Sequence, residues 1–176
     1  GPGAVAGCFV HERHARDFER PRLAGWWGHD KASRFRMGPE FVPMAGAEGW
    51  QLSNPPVLGL APLLASLEIF DEAGMTRLRE KSLKLTAYLE FLLKEKLAEE
   101  IDVLTPADPA RRGCQLSLRL HKGRDAARTV FVQLEEAGIT ADWREPDVIR
   151  VAPVPLYNSC TDVFRFVEIL AGLVRP

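Results

Sequence analysis

The sequence predicts a mixed α/β chain that changes character twice along its length. Three observations carry that prediction. Residues 15–56 are dense in Gly, Pro and aromatic side chains and show no long period, which marks ordered loop rather than regular helix or sheet. Leucines then recur at helical spacing between residues 60 and 93. From residue 102 onward, segments with the two-residue period of strands alternate with amphipathic helical segments in the order β-β-α-β-β-α. That order predicts a small α+β layer with its helices on one face. The corresponding divisions are 1–56, 57–101 and 102–176.

Taken in order, "GPGAVAG" reads as a glycine-rich turn, and "GCFVHERH" at 7–14 has a short apolar centre that predicts one strand. Further short strands are expected around "RFRM" (34–37) and "WQLS" (50–53). "SNPP" at 53–56 predicts a helix start, because Ser53 or Asn54 can cap and proline is tolerated in a first turn. Leu60, Leu63, Leu64, Leu67 and Phe70 continue that helix until Gly74 interrupts it. A longer helix follows, with Leu78, Leu85, Leu89, Leu92 and Leu93 on one face and Lys and Glu opposite. "DVLTP" and "CQLSLRL" (114–120) predict strands, and 124–137 predicts an amphipathic helix stopped by Gly138. "ITADW" and "VIRVAP" predict two strands joined by the turn "REPD". Ser159 or Thr161 caps a last helix that runs to about Leu173.

Composition narrows the function classes. Lys and Arg number 23 and Asp and Glu 24, a net charge of −1 that gives no reason to expect nucleic acid or an acidic membrane as partner. No apolar run approaches the length of a membrane span, and the N-terminus lacks the basic and apolar regions of a signal peptide. Cys8, Cys114 and Cys160 are far apart and odd in number. They argue against a disulfide framework or zinc site and fit a reducing, cytoplasmic setting, each expected as a small core residue. His11, His14, His29 and His121 lack a spacing that gathers three metal ligands. No carboxylate pair, Ser-His-Asp order or glycine-rich phosphate motif of the Walker or Rossmann type stands out.

What stands out instead is "GWWGHD" at 25–30, two tryptophans between two glycines with a histidine directly after. Read from the residues alone, Trp26 and Trp27 are core or interface rings. Ser53 and Asn54 are helix caps. Arg150, in "VIRVAP", lies opposite Ile149 and Val151 on its strand and has a salt bridge as its plain structural reading. Tyr157 and Asn158 read as turn or capping residues.

The blocks "PGAVAGCFVHE", "GWWGHD", "RFRM", "SNPP", "ASLEIF", "RGCQLSL" and "IRVAPVPLYNS", in this order along nearly the whole chain, resemble the C-terminal portion of the kynureninase family. The resemblance implies an α/β fold of the pyridoxal-phosphate-dependent type I class, here the end of a large domain, connecting helices and a small α+β domain. It implies hydrolysis of kynurenine or 3-hydroxykynurenine to an anthranilate and alanine, in tryptophan catabolism and pyridine nucleotide biosynthesis. It implies pyridoxal 5'-phosphate as cofactor and a homodimer with the active site at its interface. By the same resemblance Trp26 and Asn54 hold the cofactor, while His29 and Ser53 line the aryl pocket and Arg150 takes the substrate carboxylate. The Schiff-base lysine is expected upstream of Gly1, in an N-terminal half that this chain lacks. Lys31, Lys81, Lys84, Lys94, Lys96 and Lys122 fall in charged stretches, so no catalytic residue is assigned within the chain. Two other readings remain open at this point: another type I enzyme, such as a cysteine desulfurase relative or an aminotransferase, and a non-catalytic binding or dimerisation module.

Overall fold

The computed structural model describes residues 5–175, so the first residues of the expected glycine-rich turn, 1–4, lie outside it. The chain divides into two compact units, 1–69 and 70–176.

The second unit contains α2 (Met75–Leu97), β1 (Ile101–Val103), β2 (Leu116–Leu120), α3 (Arg124–Glu136), β3 (Asp142–Arg144), β4 (Val148–Val151) and α4 (Cys160–Val174). The four strands form one antiparallel sheet in the order β1-β2-β4-β3. The β-β-α-β-β-α order is thus present. The crossover through α3 places β4, rather than β3, beside β2, with Ser117 opposite Arg150. Burial alternates along β2, where Leu116, Leu118 and Leu120 face in, and along β4, where Ile149 and Val151 do. One core joins these residues to Leu85, Leu89, Leu93 and Leu97 of α2, Leu134 of α3, and Val167 and Leu170 of α4. The helices therefore cover one face of the sheet. Ser117, Arg119, Asp142 and Arg150 are on the other.

Local chemistry sets the ends of these elements. Gly138 has φ 78°, a left-handed conformation that costs glycine little, and its N–H bonds the Glu135 carbonyl as α3 ends. Ser159 rather than Thr161 caps α4, in a reciprocal box. Its side chain accepts from the Asp162 N–H, and Asp162 Oδ2 accepts from the Ser159 N–H at 2.7 Å. That backbone bond, followed by one from the Ser159 hydroxyl, holds the Asp162 carboxyl below the usual carboxylate range. Asn158 takes the turn role expected of it, its Oδ1 accepting from the Val154 N–H at 2.8 Å.

The first unit has a different construction. The strand expected at 7–14 is absent. Glu12–His14 is a 3₁₀ turn, with His11 Nδ1 accepting the Arg13 N–H. "RFRM" holds the 3₁₀ turn Arg34–Arg36, and "WQLS" follows another at Ala47–Trp50. In these turns the His14, Arg34, Arg36 and Gln51 amides bond carbonyls three or four residues back rather than a neighbouring strand. Among the described residues of this unit, the strand-like pairing is a single bridge between His29 and Pro43.

The helix after "SNPP" is α1 (Val57–Ala73), and neither Ser53 nor Asn54 caps it. The residue before a proline is pushed out of the helical region. Asn54 precedes Pro55, and Pro55 precedes Pro56, so the helix begins only after the second proline, where the Pro56 carbonyl accepts from Gly59 and Leu60. The cysteines also depart from expectation. Cys8 and Cys160 are exposed and Cys114 is half-buried, so none is a core residue.

Candidate functional site

The first unit contains a cavity of about 530 Å³ bordered by Trp26, His29, Ser33, Arg34, Met37 and Phe41, among others. Its wall is the turn Trp26–Gly28, and the flanking glycines have a steric cause. A Cβ on Gly25 would lie 2.2 Å from Leu52 Cα, and one on Gly28 would lie 2.8 Å from the Gln51 carbonyl oxygen. Any side chain there would push the turn off the 49–52 backbone. The two tryptophans pack edge to face at 6.3 Å, and Phe35 stands edge-on to Trp26 at 5.5 Å.

Within this wall the polar groups are paired in sequence. The Trp26 indole Nε1–H donates to the Arg34 carbonyl at 3.1 Å, although half of the side chain is exposed. His29 Nδ1 accepts the Val42 N–H at 3.3 Å, which leaves Nε2 to carry the proton that meets Ser33 Oγ at 3.0 Å. Ser33 Oγ in turn donates to Asp30 Oδ2 at 2.8 Å, the main reason the Asp30 carboxyl is held below its ordinary range. Arg34 is buried. Its guanidinium lies 4.6 Å over the Trp27 ring, Nη2 donates to the His29 carbonyl at 3.0 Å, and Nε has no partner. Among the described residues no carboxylate lies within ion-pair distance of it.

Trp26 and His29 thus meet at one cavity. Ser53 and Asn54 belong to the same unit but do not line it; both are exposed in the extended segment before α1. Arg150 belongs to the second unit, on the sheet face away from the helices. There it borders a cavity of about 280 Å³ with Thr105, Ser117, Arg144 and Val148. Its Nε donates to Asp142 Oδ2 at 2.7 Å, and Nη2 bonds the same oxygen. This pairing, ahead of that with Arg144, depresses the Asp142 carboxyl. The salt bridge of the plain structural reading therefore exists. Sequence reasoning singled out Trp26 and His29 but not Arg34, Ser33 or Asp30. The usable signal for the last two was their i, i+3 spacing, which lets an aspartate take a turn amide and hydroxyl.

Among the described residues no group of three His, Cys, Asp or Glu is placed to hold a metal, and no helix is long and apolar enough to cross a membrane.

Solved structures of similar architecture define the class. A cysteine desulfurase from Thermococcus onnurineus NA1, solved in its apo form, aligns with TM-score 0.73 at 17% identity over 94% of this chain and 42% of its own. A cystine C–S lyase, solved with its product cysteine persulfide, aligns with TM-score 0.67 at 19% identity over 92% of this chain and 40% of its own. The fold is that of the C-terminal part of pyridoxal-phosphate-dependent type I enzymes. Within that class the sequence is more specific. The family described as the kynureninase C-terminal domain matches residues 78–170, more than half of the chain. Kynureninases from Stenotrophomonas maltophilia (strain K279a) and Koribacter versatilis (strain Ellin345) are 62% and 61% identical over 168 residues, 96% of this chain. The chain belongs to the kynureninase family. It spans about 40% of the length of these curated relatives.

Proposed function

We propose that this chain is the C-terminal part of a kynureninase. The complete enzyme hydrolyses L-kynurenine or 3-hydroxy-L-kynurenine to anthranilate or 3-hydroxyanthranilate and L-alanine, with pyridoxal 5'-phosphate as cofactor. The observation that carries this reading is the identity of about three residues in five, sustained over 96% of the chain, with curated kynureninases.

The cavity beside Trp26 suits an anionic group such as the cofactor phosphate. Trp26 Nε1 is donor-only, and the buried Arg34 cation brings positive charge with no carboxylate paired to it. Glu40 also borders the cavity but is exposed. Trp26 would hold the phosphate by turning its N–H away from the Arg34 carbonyl, and Asn54 would hold the cofactor with its free amide. When bound, the cofactor supplies an electron sink for negative charge at the substrate Cα. His29 and Ser53 would line the aryl pocket. The imidazole is held in one tautomer and orientation by Val42 and Ser33, so it presents a fixed edge rather than a mobile base.

Arg150 would bind the substrate α-carboxylate. A guanidinium offers two parallel N–H groups to a carboxylate and fixes angle as well as position. Asp142 occupies that fork and holds it extended on the sheet until substrate replaces it. No lysine borders either cavity, and the lysine that takes the cofactor is proposed to lie outside residues 1–176. A homodimer is supported by the exposed rings of the first unit, where Trp26 and Phe35 are 50% and 71% exposed.

The test is product analysis of the complete enzyme given 3-hydroxykynurenine. Alanine and 3-hydroxyanthranilate in equal amounts are expected. An amino-group transfer product, or sulfur release from a cysteine substrate in place of aryl cleavage, overturns the reading.

A further inference from the structure

Arg34 combines features that a residue retained only for packing would not have. It is the one buried side chain with a formal charge among residues 5–69, at 6% exposure. Its Nε–H is unpartnered and no carboxylate within reach neutralises it. Burying an unpaired cation is costly, so an apolar side chain of similar length would serve packing better. What Arg34 has that Met or Leu lacks is a planar fork, and each part of it meets the 25–30 segment. The flat face lies on Trp27, and Nη2 donates to the His29 carbonyl. Nη2 also approaches Met44 Sδ at 3.7 Å, whose backbone N–H bonds the Gly28 carbonyl. The Arg34 main chain closes the ring, its N–H donating to the Asp30 carbonyl and its own carbonyl receiving the Trp26 indole. The side chain therefore holds Trp27 and the His29 carbonyl, while the main chain at this position holds Trp26 and Asp30.

We propose that Arg34 is the positioning residue of the cofactor and aryl sites: its guanidinium, on the Trp27 face and the His29 carbonyl, fixes the turn that carries Trp26 and His29 without touching substrate itself. The proposal rests on the kynureninase reading for what Trp26 and His29 bind. Lysine cannot replace it. An ammonium can sit on the Trp27 face or reach the His29 carbonyl, but its single centre cannot hold both at the spacing of a guanidinium. The Trp26–Trp27 edge-to-face pair gives the arrangement its own signal, since the near-ultraviolet circular dichroism of two adjacent indoles depends on their mutual angle.

The experiment compares Arg34→Lys and Arg34→Met with Arg22→Lys in the complete enzyme. Arg22 is an internal control, because its guanidinium also stacks on a tryptophan of the same unit, Trp50 at 4.3 Å, yet it contacts neither Trp26 nor His29. Three quantities are read: pyridoxal phosphate affinity by titration of the cofactor-free enzyme, its near-ultraviolet circular dichroism, and its melting temperature. Both Arg34 variants are expected to bind the cofactor roughly ten- to a hundred-fold more weakly, as for loss of a charge-assisted bond, with an altered indole spectrum. Arg22→Lys is expected to keep the wild-type affinity, even if it melts lower. If Arg34→Lys binds like wild type with an unchanged spectrum, the proposal is wrong while the kynureninase reading stands. If weakening tracks melting temperature equally in Arg34 and Arg22 variants, Arg34 is merely structural. If the wild type takes up no pyridoxal phosphate, the kynureninase reading fails and the proposal falls with it.

Discussion

The two units of this chain are stabilised in different ways. In the second, twenty buried hydrophobic side chains from helices and strands form one cluster, and Ser82 and Thr86 of α2 are the buried polar residues among those described. In the first, no hydrophobic side chain among residues 5–69 is buried; the buried residues are Gly28, Gly49 and Arg34. Its order comes from backbone turns, two glycine contacts, and guanidinium groups lying on indole rings. Its large apolar side chains face outward, Leu58 at 91% and Phe9 at 86% exposure. Residues 57–65 of α1 are all apolar, as in a helix segment that packs in an interior. The second unit is thus a scaffold that closes its own core. The first is, we propose, a surface whose apolar complement comes from other parts of the complete enzyme.

This contrast is tested most severely by truncating one leucine in each unit. Leu134→Ala removes a fully buried side chain and is expected to cost about 2–5 kcal/mol in a urea melt of the chain. Leu58→Ala, at 91% exposure, is expected to stay within about 0.5 kcal/mol. Equal costs would erase the distinction between the units.

Arg150 sharpens it, since this scaffold residue is proposed to touch substrate. Losing a desolvated charged pair costs on the order of 2–5 kcal/mol. Arg150→Ala should therefore lower kcat/KM of the complete enzyme roughly 30- to several-thousand-fold, at about 1.4 kcal/mol per factor of ten. If the pair with Asp142 is only structural, the variant loses at most about 1 kcal/mol of stability and keeps its kinetics.

Gly25→Ala probes the first unit's close contacts. The new methyl would sit 2.2 Å from Leu52 Cα, so backbone must move, at an expected cost of about 1–3 kcal/mol. Gly113→Ala, with nothing within 4 Å, should leave melting temperature nearly unchanged.

The smaller effects lie at scaffold edges. Ser159→Ala removes one half of the α4 capping box and should cost about 1 kcal/mol. Glu90 accepts from Lys94 at 2.7 Å and from the buried Arg112 at 2.6 Å, which holds its carboxyl below the usual range, Lys94 first. A depressed folded value means that its contribution is present above the unfolded value and is lost as pH falls through the folded one. An acid titration of stability should therefore be shallower in Glu90→Gln than in wild type.

The second unit was legible in the sequence because its signals are local. The leucine spacing of α2, the alternation in β2 and β4, Gly138 and Ser159 each act within a few residues. Alternation also placed Arg150 on the correct sheet face. Its partner Asp142 was not legible, because strand register between β3 and β4 brings them together. The short strands expected in the first unit are absent for the same reason in stronger form. "RFRM" alternates like a strand, yet Arg34 lies inward because His29, Trp27 and Met44 arrive from elsewhere in the chain. "SNPP" looked like a cap because two prolines in succession delay the helix, a backbone effect that outweighs the polar side chains before it.

The central claim is that the site in the first unit needs groups from outside this chain. It is tested directly by supplying the isolated 176-residue chain with pyridoxal phosphate and 3-hydroxykynurenine, alongside the complete enzyme. The complete enzyme is expected to release 3-hydroxyanthranilate and the isolated chain none. Release of 3-hydroxyanthranilate by the isolated chain would contradict it.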